Sequence, residues 1–161
     1  MNVTWLGGHV EDPEARLSTA AFKPETLSMA CPFCDIVQRE EHRWASTHAV
    51  SFPDAYPLSP GHSLVVPRRH VTSVFDLDQA ERADLWELVH QVRQALREDL
   101  TPDAFNVGVN DGAAAGQTVE HAHVHVVPRW LGDTSDPRGG IRWVLSERAP
   151  YWSRREGEPG G

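Results

Sequence analysis

The chain contains little positive charge and almost no lysine. Of its 161 residues, 15 are Lys or Arg and 23 are Asp or Glu, so the net charge is -8. Only Lys23 is a lysine. Attraction to phosphate backbones and anionic membranes needs clustered positive charge. The composition therefore argues against a general nucleic-acid or membrane-surface binder.

Cysteines and long apolar runs are also scarce. The two cysteines, Cys31 and Cys34, are too few for a secreted domain held together by disulfides. No stretch approaches the roughly 18 consecutive apolar residues of a membrane-spanning helix. Residues 1–19 lack the apolar run of a signal peptide. From these absences we expect a cytoplasmic protein that binds neither nucleic acid nor membrane.

The length of 161 residues fits one domain. Residues 1–29 show no sustained period of 2 or 3.6 residues, and we expect them to form a poorly ordered extension. Residues 153–161 are charged and end in Pro-Gly-Gly, which is typical of a flexible tail. Residues 30–152 should therefore contain the folded domain.

Within that domain the pattern predicts one long helix among short strands. Asp78 and Glu81 form an Asp-x-x-Glu capping box at the start of a helix that runs to Leu100. Strands are predicted over residues 48–52, 62–66, 105–109 and 119–127. This order favours an α+β fold, with a roughly five-stranded antiparallel sheet and the helix packed across it. The helix face expected in the core consists of Leu85, Leu88, Val89, Val92 and Leu96.

Three of the nine histidines, His121, His123 and His125, alternate with apolar residues. On a strand, alternate side chains share one face, about 6–7 Å apart. The strand should then present its three imidazoles to a cleft. Its opposite face, made of Ala122, Val124 and Val126, should be buried in the core.

The residue pattern alone leaves three interpretations of this face open. It could be a partly exposed polar surface without a chemical role. It could be a catalytic metal site, because His-x-His on a strand supplies two metal ligands. It could also act in nucleophilic catalysis, since a neutral imidazole, with a pKa of about 6.5, attacks readily at neutral pH.

Residues 121–127 read His-Ala-His-Val-His-Val-Val, which resembles the signature of the histidine-triad (HIT) superfamily of nucleotide hydrolases and transferases. The resemblance extends to Phe-Pro-Asp at 52–54 and to Pro-Gly-His-Ser-Leu-Val-Val-Pro-Arg-Arg-His at 60–70. It also includes Asn-Asp-Gly at 110–112 and Ala-Gly-Gln-Thr-Val at 115–119. The resemblance covers residues from about 30 to 130. The resemblance implies a HIT-like fold that dimerises with a second copy of itself.

The resemblance also implies the chemistry. His123 would attack the α-phosphorus of a small-molecule nucleotide and form a nucleotidyl-histidine intermediate. Water or another acceptor would then displace it. His125 would contact the phosphate and assist the leaving group. Dinucleoside polyphosphates and nucleoside phosphoramidates remain open as substrates.

The same resemblance assigns residues to substrate binding. Asp54 would accept hydrogen bonds from the ribose hydroxyls, as an acceptor-only carboxylate can. Asn110 would hold the phosphate or the ribose. Gln117 and Thr118 would bind phosphate oxygens, and the turn that begins at Gly116 can add backbone N–H groups.

The pair Cys31 and Cys34 admits a buried pair of thiols, a redox motif or a zinc site. Some bacterial members of the superfamily bind structural zinc with such a pair. The two further ligands implied here are His70 and His121. Such a closed Cys2His2 site has no open position, so this zinc would be structural and the reaction itself would need no cofactor.

Two other functions compete with a nucleotidyl-histidine mechanism. The protein could be a metal-dependent hydrolase that uses His121, His123 and His125 as ligands. It could also be a nucleotide-binding sensor without turnover.

Overall fold

The computed structural model describes residues 31–150 of the chain. The whole of the expected N-terminal extension, residues 1–29, and the whole of the expected C-terminal tail, residues 153–161, lie outside the described residues. The helices are α1 (Pro32–Arg39) and α2 (Gln79–Leu100). The strands are β1 (Trp44–Ala45), β2 (Ala49–Pro53), β3 (Ser63–Pro67), β4 (Ala104–Gly108) and β5 (Val124–Arg129). Short 3-10 helices cover Val74–Asp76, Ala113–Ala115 and Gly140–Arg148.

Helix α2 forms as the local sequence predicts. Asp78 is the N-cap, and its side chain accepts a hydrogen bond of 2.9 Å from the backbone N–H of Glu81. The Glu81 carboxylate accepts one of 3.0 Å from the backbone N–H of Asp78. The helix ends before Thr101, which takes the left-handed conformation. All five residues of the predicted apolar face are buried: Leu85, Leu88, Val89, Val92 and Leu96.

The five strands form one antiparallel sheet in the order β1-β2-β3-β5-β4. This confirms the predicted α+β fold with one long helix across an antiparallel sheet. Strand β1 was not predicted, since a two-residue strand is too short to show a periodic pattern. Among the described residues, no helix is both long enough and apolar enough to cross a bilayer.

The central strands are covered on both faces, since nearly every residue of β2 and β3 is buried and successive side chains point to opposite faces. Helix α2 packs on the face that carries Ala49, Val65 and Val124. The other face carries Phe52, Leu64 and other apolar residues, and the start of α1 packs there with Cys31, Phe33 and Cys34. His125 lies opposite Leu64 in the sheet register. The imidazole of His125 therefore belongs to the face covered by α1.

The start of the histidine strand differs from the prediction. Strand β5 begins at Val124, whereas a strand was predicted from Val119. Its pairing with β3 and β4 reaches no further than Val124 and His125, so the residues before it have no ladder partner. His121 and His123 therefore precede the strand. The interpretation that all three imidazoles project from one strand into one cleft is wrong, and His121 is fully buried.

Candidate functional site

Three polar side chains meet where β2 ends, β3 begins and β5 passes between β3 and β4. Asp54 directly follows β2, and His62 directly precedes β3. His125 is the second residue of β5. The hairpin between β2 and β3 thus brings Asp54 and His62 together, and the β3–β5 pairing adds His125 from 63 residues further along the chain.

The ring of His123 is held in one tautomer by the backbone carbonyl of His121. Its Nδ1 lies 2.8 Å from the carbonyl oxygen of His121. Because a carbonyl only accepts hydrogen bonds, Nδ1 is the donor, and the neutral ring keeps a lone pair on Nε2. Phe33 packs edge-on against this ring, with centroids 5.3 Å apart. In its neutral form, His123 therefore presents a fixed lone pair on Nε2.

His62 and His125 form a hydrogen-bonded pair, and each of these rings carries its proton on Nε2 rather than on Nδ1 as in His123. The backbone N–H of Leu58 donates to Nδ1 of His62 over 3.2 Å, so the proton of the neutral His62 ring is on Nε2. That N–H donates over 3.0 Å to Nδ1 of His125. The neutral His125 ring must then carry its proton on Nε2. The rings of His123 and His125 have centroids 5.0 Å apart. His123 thus offers a lone pair on Nε2, and His125 offers an N–H donor on Nε2.

The surroundings keep this pair of imidazoles neutral. Burial, together with the neighbouring His123 and His62, lowers the pKa of His125 to about 4 against the opposing effect of Asp54. Burial also lowers the pKa of His62, again opposed by Asp54. Both rings are therefore uncharged near pH 7, as the hydrogen-bond chain requires.

Asp54 faces both imidazoles and borders a cleft. One carboxylate oxygen accepts the backbone N–H of Tyr56 at 2.8 Å. The other lies 3.5 Å from Nε2 of His62 and 3.9 Å from Nδ1 of His125. The adjoining cleft has a volume of about 380 Å³ and a mostly apolar lining, which includes Asp54, Tyr56, Leu58, Asn110, His125 and Ile141.

The loop before β5 turns at two glycines with positive φ, Gly112 and Gly116. The side-chain amide of Gln117 fixes the loop: its oxygen accepts the N–H of Gly112 at 2.7 Å, and its nitrogen donates to Thr72 O at 2.8 Å and to Val119 O. These bonds occupy the group that was expected to bind phosphate. The neighbouring Gly116 and Thr118 are exposed.

Asn110 is placed at the same loop. Its amide nitrogen lies 4.0 Å from the point that a Cβ on Gly116 would occupy. Asn110 also lines the cleft beside Asp54 and His125. The structure therefore brings Asp54, Asn110 and His125 to one cleft, with Gly116 close to Asn110, and it gives the Gln117 side chain structural contacts instead.

The four expected zinc ligands meet between α1 and the sheet. Nδ1 of His121 lies 3.4 Å from Sγ of Cys31 and 3.5 Å from Sγ of Cys34. Nδ1 of His70 lies 3.2 Å from Sγ of Cys34. All four candidate ligand atoms lie within 4.8 Å of one another, which suits a single ion at their centre. We refer to Cys31, Cys34, His70 and His121 as the Cys2His2 cluster.

The protonation chemistry of the cluster also fits a metal. The Nε2–H of His121 donates to Pro67 O over 2.9 Å, which leaves Nδ1 unprotonated toward the sulfurs. Burial is the main cause that lowers the pKa of His121 to about 4. Burial, together with the hydrogen bond and the charge of Cys31, raises the pKa of Cys34 to about 11. A buried thiolate pair needs a cation beside it, and a bound Zn²⁺ would supply that charge.

A family profile described as the HIT domain matches residues 42–130, which is more than half of the chain. The chain belongs to the HIT domain family. The resemblance of the histidine motif is thereby confirmed, and residues 121–127 lie within the matched range.

Two HIT relatives carry enzyme names. An AP-4-A phosphorylase of Mycobacterium tuberculosis is 39% identical over 117 residues, which cover 68% of this chain and 59% of that protein. A bis(5'-adenosyl)-triphosphatase of Dictyostelium discoideum is 34% identical over 115 residues, covering 71% of this chain and 77% of that protein. This chain therefore spans less than two thirds of the phosphorylase.

A solved structure adds a metal-containing relative. The crystal structure of a Zn-bound histidine triad family protein from Mycobacterium smegmatis superposes with a TM-score of 0.61 and 32% identity. The match covers 74% of this chain and 94% of the other.

The three histidines of the HIT motif do not converge on a common point. Nδ1 of His121 faces the cysteines, Nδ1 of His123 faces a carbonyl, and Nδ1 of His125 faces His62. Within residues 31–150 the side chains that could hold a metal form two groups, the Cys2His2 cluster and Asp54 with His62 and His125. A metal site made of the three motif histidines is therefore not supported. The redox interpretation of the cysteines is weakened too, because α1 has only eight residues and lies beside an antiparallel sheet.

His62 is the member of the site that sequence reasoning left without a role. It was part of the Pro-Gly-His segment used for the resemblance. No local pattern reveals that it pairs with His125, since that contact depends on the register of β3 and β5.

Proposed function

We propose that this protein is a nucleotide hydrolase or nucleotidyltransferase that acts at the α-phosphate through a nucleotidyl-histidine intermediate. The observation that carries the proposal is the fixed tautomer of His123, which aims a lone pair on Nε2 away from the backbone. The enzyme names of the two HIT relatives support a nucleotide as the substrate.

The reaction would proceed in two displacements. Nε2 of His123 attacks the α-phosphorus, an N–P bond forms, and the bond to the leaving group breaks. Water, or another acceptor, then attacks the same phosphorus and breaks the N–P bond, which restores the free imidazole and releases a proton to solvent. Two in-line displacements give net retention at phosphorus.

His125 would assist both displacements. Its Nε2–H, which the hydrogen bond from His62 leaves as the donor, can bond to an oxygen or nitrogen of the phosphate or leaving group. Because the His125 ring is neutral, it does not give up this proton to a nearby carboxylate. The N–H donor can therefore stabilise the negative charge that develops during the reaction. The proton of His123 on Nδ1 stays bonded to the carbonyl of His121 while the ring gains positive charge.

The remaining substrate contacts follow from the cleft. We propose that the Asp54 carboxylate, which borders the cleft, accepts hydrogen bonds from the ribose hydroxyls. Asn110, Thr118 and the backbone of Gly116 would hold phosphate oxygens. Gln117 would act on the phosphate only by shaping this loop.

We further propose that the Cys2His2 cluster holds one structural zinc ion. The donor set, the unprotonated Nδ1 of His121 and the Zn-bound relative support this assignment. The ion would supply charge that keeps Cys31 and Cys34 as thiolates, and it would tie the start of α1 to the sheet.

A homodimer is the proposed assembly. Strand β4 lies at the edge of the described sheet and carries the exposed Val107. A second copy could pair with this edge or pack beside it, which would cover its free backbone groups. Light scattering at micromolar concentration should give twice the mass of 17.9 kDa, and a monomer would contradict the dimer without affecting the chemistry.

The experiment that tests the function is direct capture of the intermediate. A slow nucleotide substrate, quenched in base, should leave a phosphoramidate on His123 of the wild-type protein, stable to base and labile to acid. His123→Ala should lose both the adduct and turnover while it keeps nucleotide affinity within a few-fold. His90→Ala, which removes an exposed histidine of α2, serves as the matched control and should behave as wild type.

Three other outcomes would overturn parts of the proposal. Inversion at a chiral phosphorus would exclude the double displacement. Nucleotide binding without turnover on any substrate would indicate a sensor. Complete loss of the adduct and of turnover when zinc is removed from a protein that stays folded would contradict a structural role for the ion, because it would indicate that the ion takes part in the chemistry.

A further inference from the structure

Two contacts join the Cys2His2 cluster to the ring of His123. The first runs through His121, whose Nδ1 faces the cluster and whose carbonyl accepts the Nδ1–H of His123 at 2.8 Å. The second runs through Phe33, which lies between Cys31 and Cys34 in the chain and packs 5.3 Å from His123, centroid to centroid. One contact to His123 therefore comes from a candidate zinc ligand, and the other comes from the residue that lies between two candidate zinc ligands in the chain.

His121 can orient the carbonyl only because its own position is fixed. Its Nε2–H donates to Pro67 O at 2.9 Å, and its ring lies edge-on to His70 with centroids 5.0 Å apart. The next residue, Ala122, donates its backbone N–H to Val71 O at 2.6 Å. This segment has no strand partner of its own, so the cluster and these few bonds determine where the carbonyl points.

Phe33 depends on the cluster in the same way. It is the second residue of α1, whose N-cap Cys31 makes no side-chain capping hydrogen bond. The helix is short, and such a helix is not stable on its own. Its first turn is held to the sheet by the two cysteines and by Phe33, which also packs against Phe52 at 5.4 Å.

We propose that the Cys2His2 cluster is a positioning device for His123, with His121 and Phe33 as the positioning residues. The inference rests on the proposed function, since it takes His123 as the nucleophile. A metal ion in the cluster would hold the carbonyl of His121 and the ring of Phe33 in place. Without the ion, His123 would lose the constraint on its tautomer and orientation, while the cleft at Asp54 and Asn110 would keep its residues.

The first test compares zinc-loaded and zinc-stripped full-length protein at one pH. Nitrogen-15 NMR of the histidine rings distinguishes protonated from unprotonated nitrogens. We expect the Nδ1–H tautomer of His123 in the loaded protein and a mixture of tautomers after stripping. The kcat should fall roughly ten- to hundredfold with a KM unchanged within a few-fold, because misplacement by about 1 Å can cost that much in rate.

The second test keeps all four ligands and the ion. Phe33→Leu removes the aromatic contact but not a ligand, and it should lower kcat by roughly tenfold while the protein retains its zinc and its KM. Ile36→Val is the matched control, because Ile36 lies on the same helix and packs against the same group of buried apolar residues as Phe33 but has no aromatic ring. This variant should have the kcat of the wild type.

The outcomes are distinguishable from failure of the proposed function. A wild-type protein without turnover would overturn the function, whereas the NMR comparison would still read the tautomer of His123. An unchanged tautomer and kcat after stripping would overturn the positioning role. If stripping unfolds the protein, Phe33→Leu decides: a loss of kcat with zinc and KM intact supports the proposal, and wild-type kcat overturns it.

Discussion

The Nε2–H of His62 donates to Nδ1 of His125 across 3.0 Å, and the backbone N–H of Leu58 fixes the direction of that bond. His125 is thereby left with its proton on Nε2. His123 has the opposite arrangement, because a carbonyl holds its Nδ1–H. Two imidazoles of one short motif thus differ in chemical role because different partners select their tautomers.

His62→Ala should therefore reduce leaving-group assistance. Without the donor from His62, nothing holds the His125 proton on Nε2, and we expect kcat to fall by about 10²-fold for substrates with poor leaving groups. Substrates whose leaving group departs readily as an anion should lose much less. His62→Gln, which keeps an N–H donor, should recover part of the rate. An equal loss on both kinds of substrate would contradict this role.

Asp54→Ala should act on binding of the sugar. The carboxylate borders the cleft, and its proposed partners are the ribose hydroxyls. We expect KM to rise with a smaller change in kcat, since such contacts form in both the ground and transition states. Deoxyribose substrates should be penalised in the wild type and not in the variant. The same penalty in both proteins would exclude the proposed contact.

Cys31→Ser should lower the zinc content from about one ion per chain and reduce thermal stability. Ligand binding to the folded state at a hundredfold excess over Kd contributes about 2.7 kcal/mol, which for a chain of this size corresponds to a Tm shift of several degrees. The control is built into the comparison. In excess chelator, wild type and variant should have nearly the same Tm, and a persisting difference would show that packing rather than metal explains the loss.

Stability should rise with pH between about 4 and 6.5 through His125. Burial lowers the pKa of the folded ring to about 4, whereas an unfolded histidine titrates near its ordinary value of about 6.5. In that window the unfolded chain binds the additional proton, so the free energy of unfolding increases by up to about 1.4 kcal/mol per pH unit and the contribution is lost on acidification.

The measurement for this pH effect is denaturant unfolding of the wild type and of His125→Gln across the same pH range. Both proteins keep the Cys2His2 cluster, so acid release of a metal affects both equally. We expect a shallower slope for the variant between pH 4 and 6.5. Parallel slopes would contradict the lowered pKa of His125.

The parts of this protein that the sequence determined by itself are those governed by near neighbours. The capping box of Asp78 and Glu81 and the apolar face of α2 follow from contacts three or four residues apart. The histidine motif and the four ligands of the Cys2His2 cluster were identified by residue type and order. Their assembly within 4.8 Å agrees with that identification, and the zinc itself stays a prediction.

Only the tertiary structure decided which groups act together at the site. The start of β5 at Val124 depends on ladder partners in β3 and β4, which no local alternation of histidines can reveal. The pairing of His62 with His125 joins residues 63 positions apart. The tautomer of His125, and hence its N–H donor beside the lone pair of His123, is set by a hydrogen-bond partner that lies within reach only once β3 and β5 are paired, because an isolated imidazole has no strong preference between its two nitrogens.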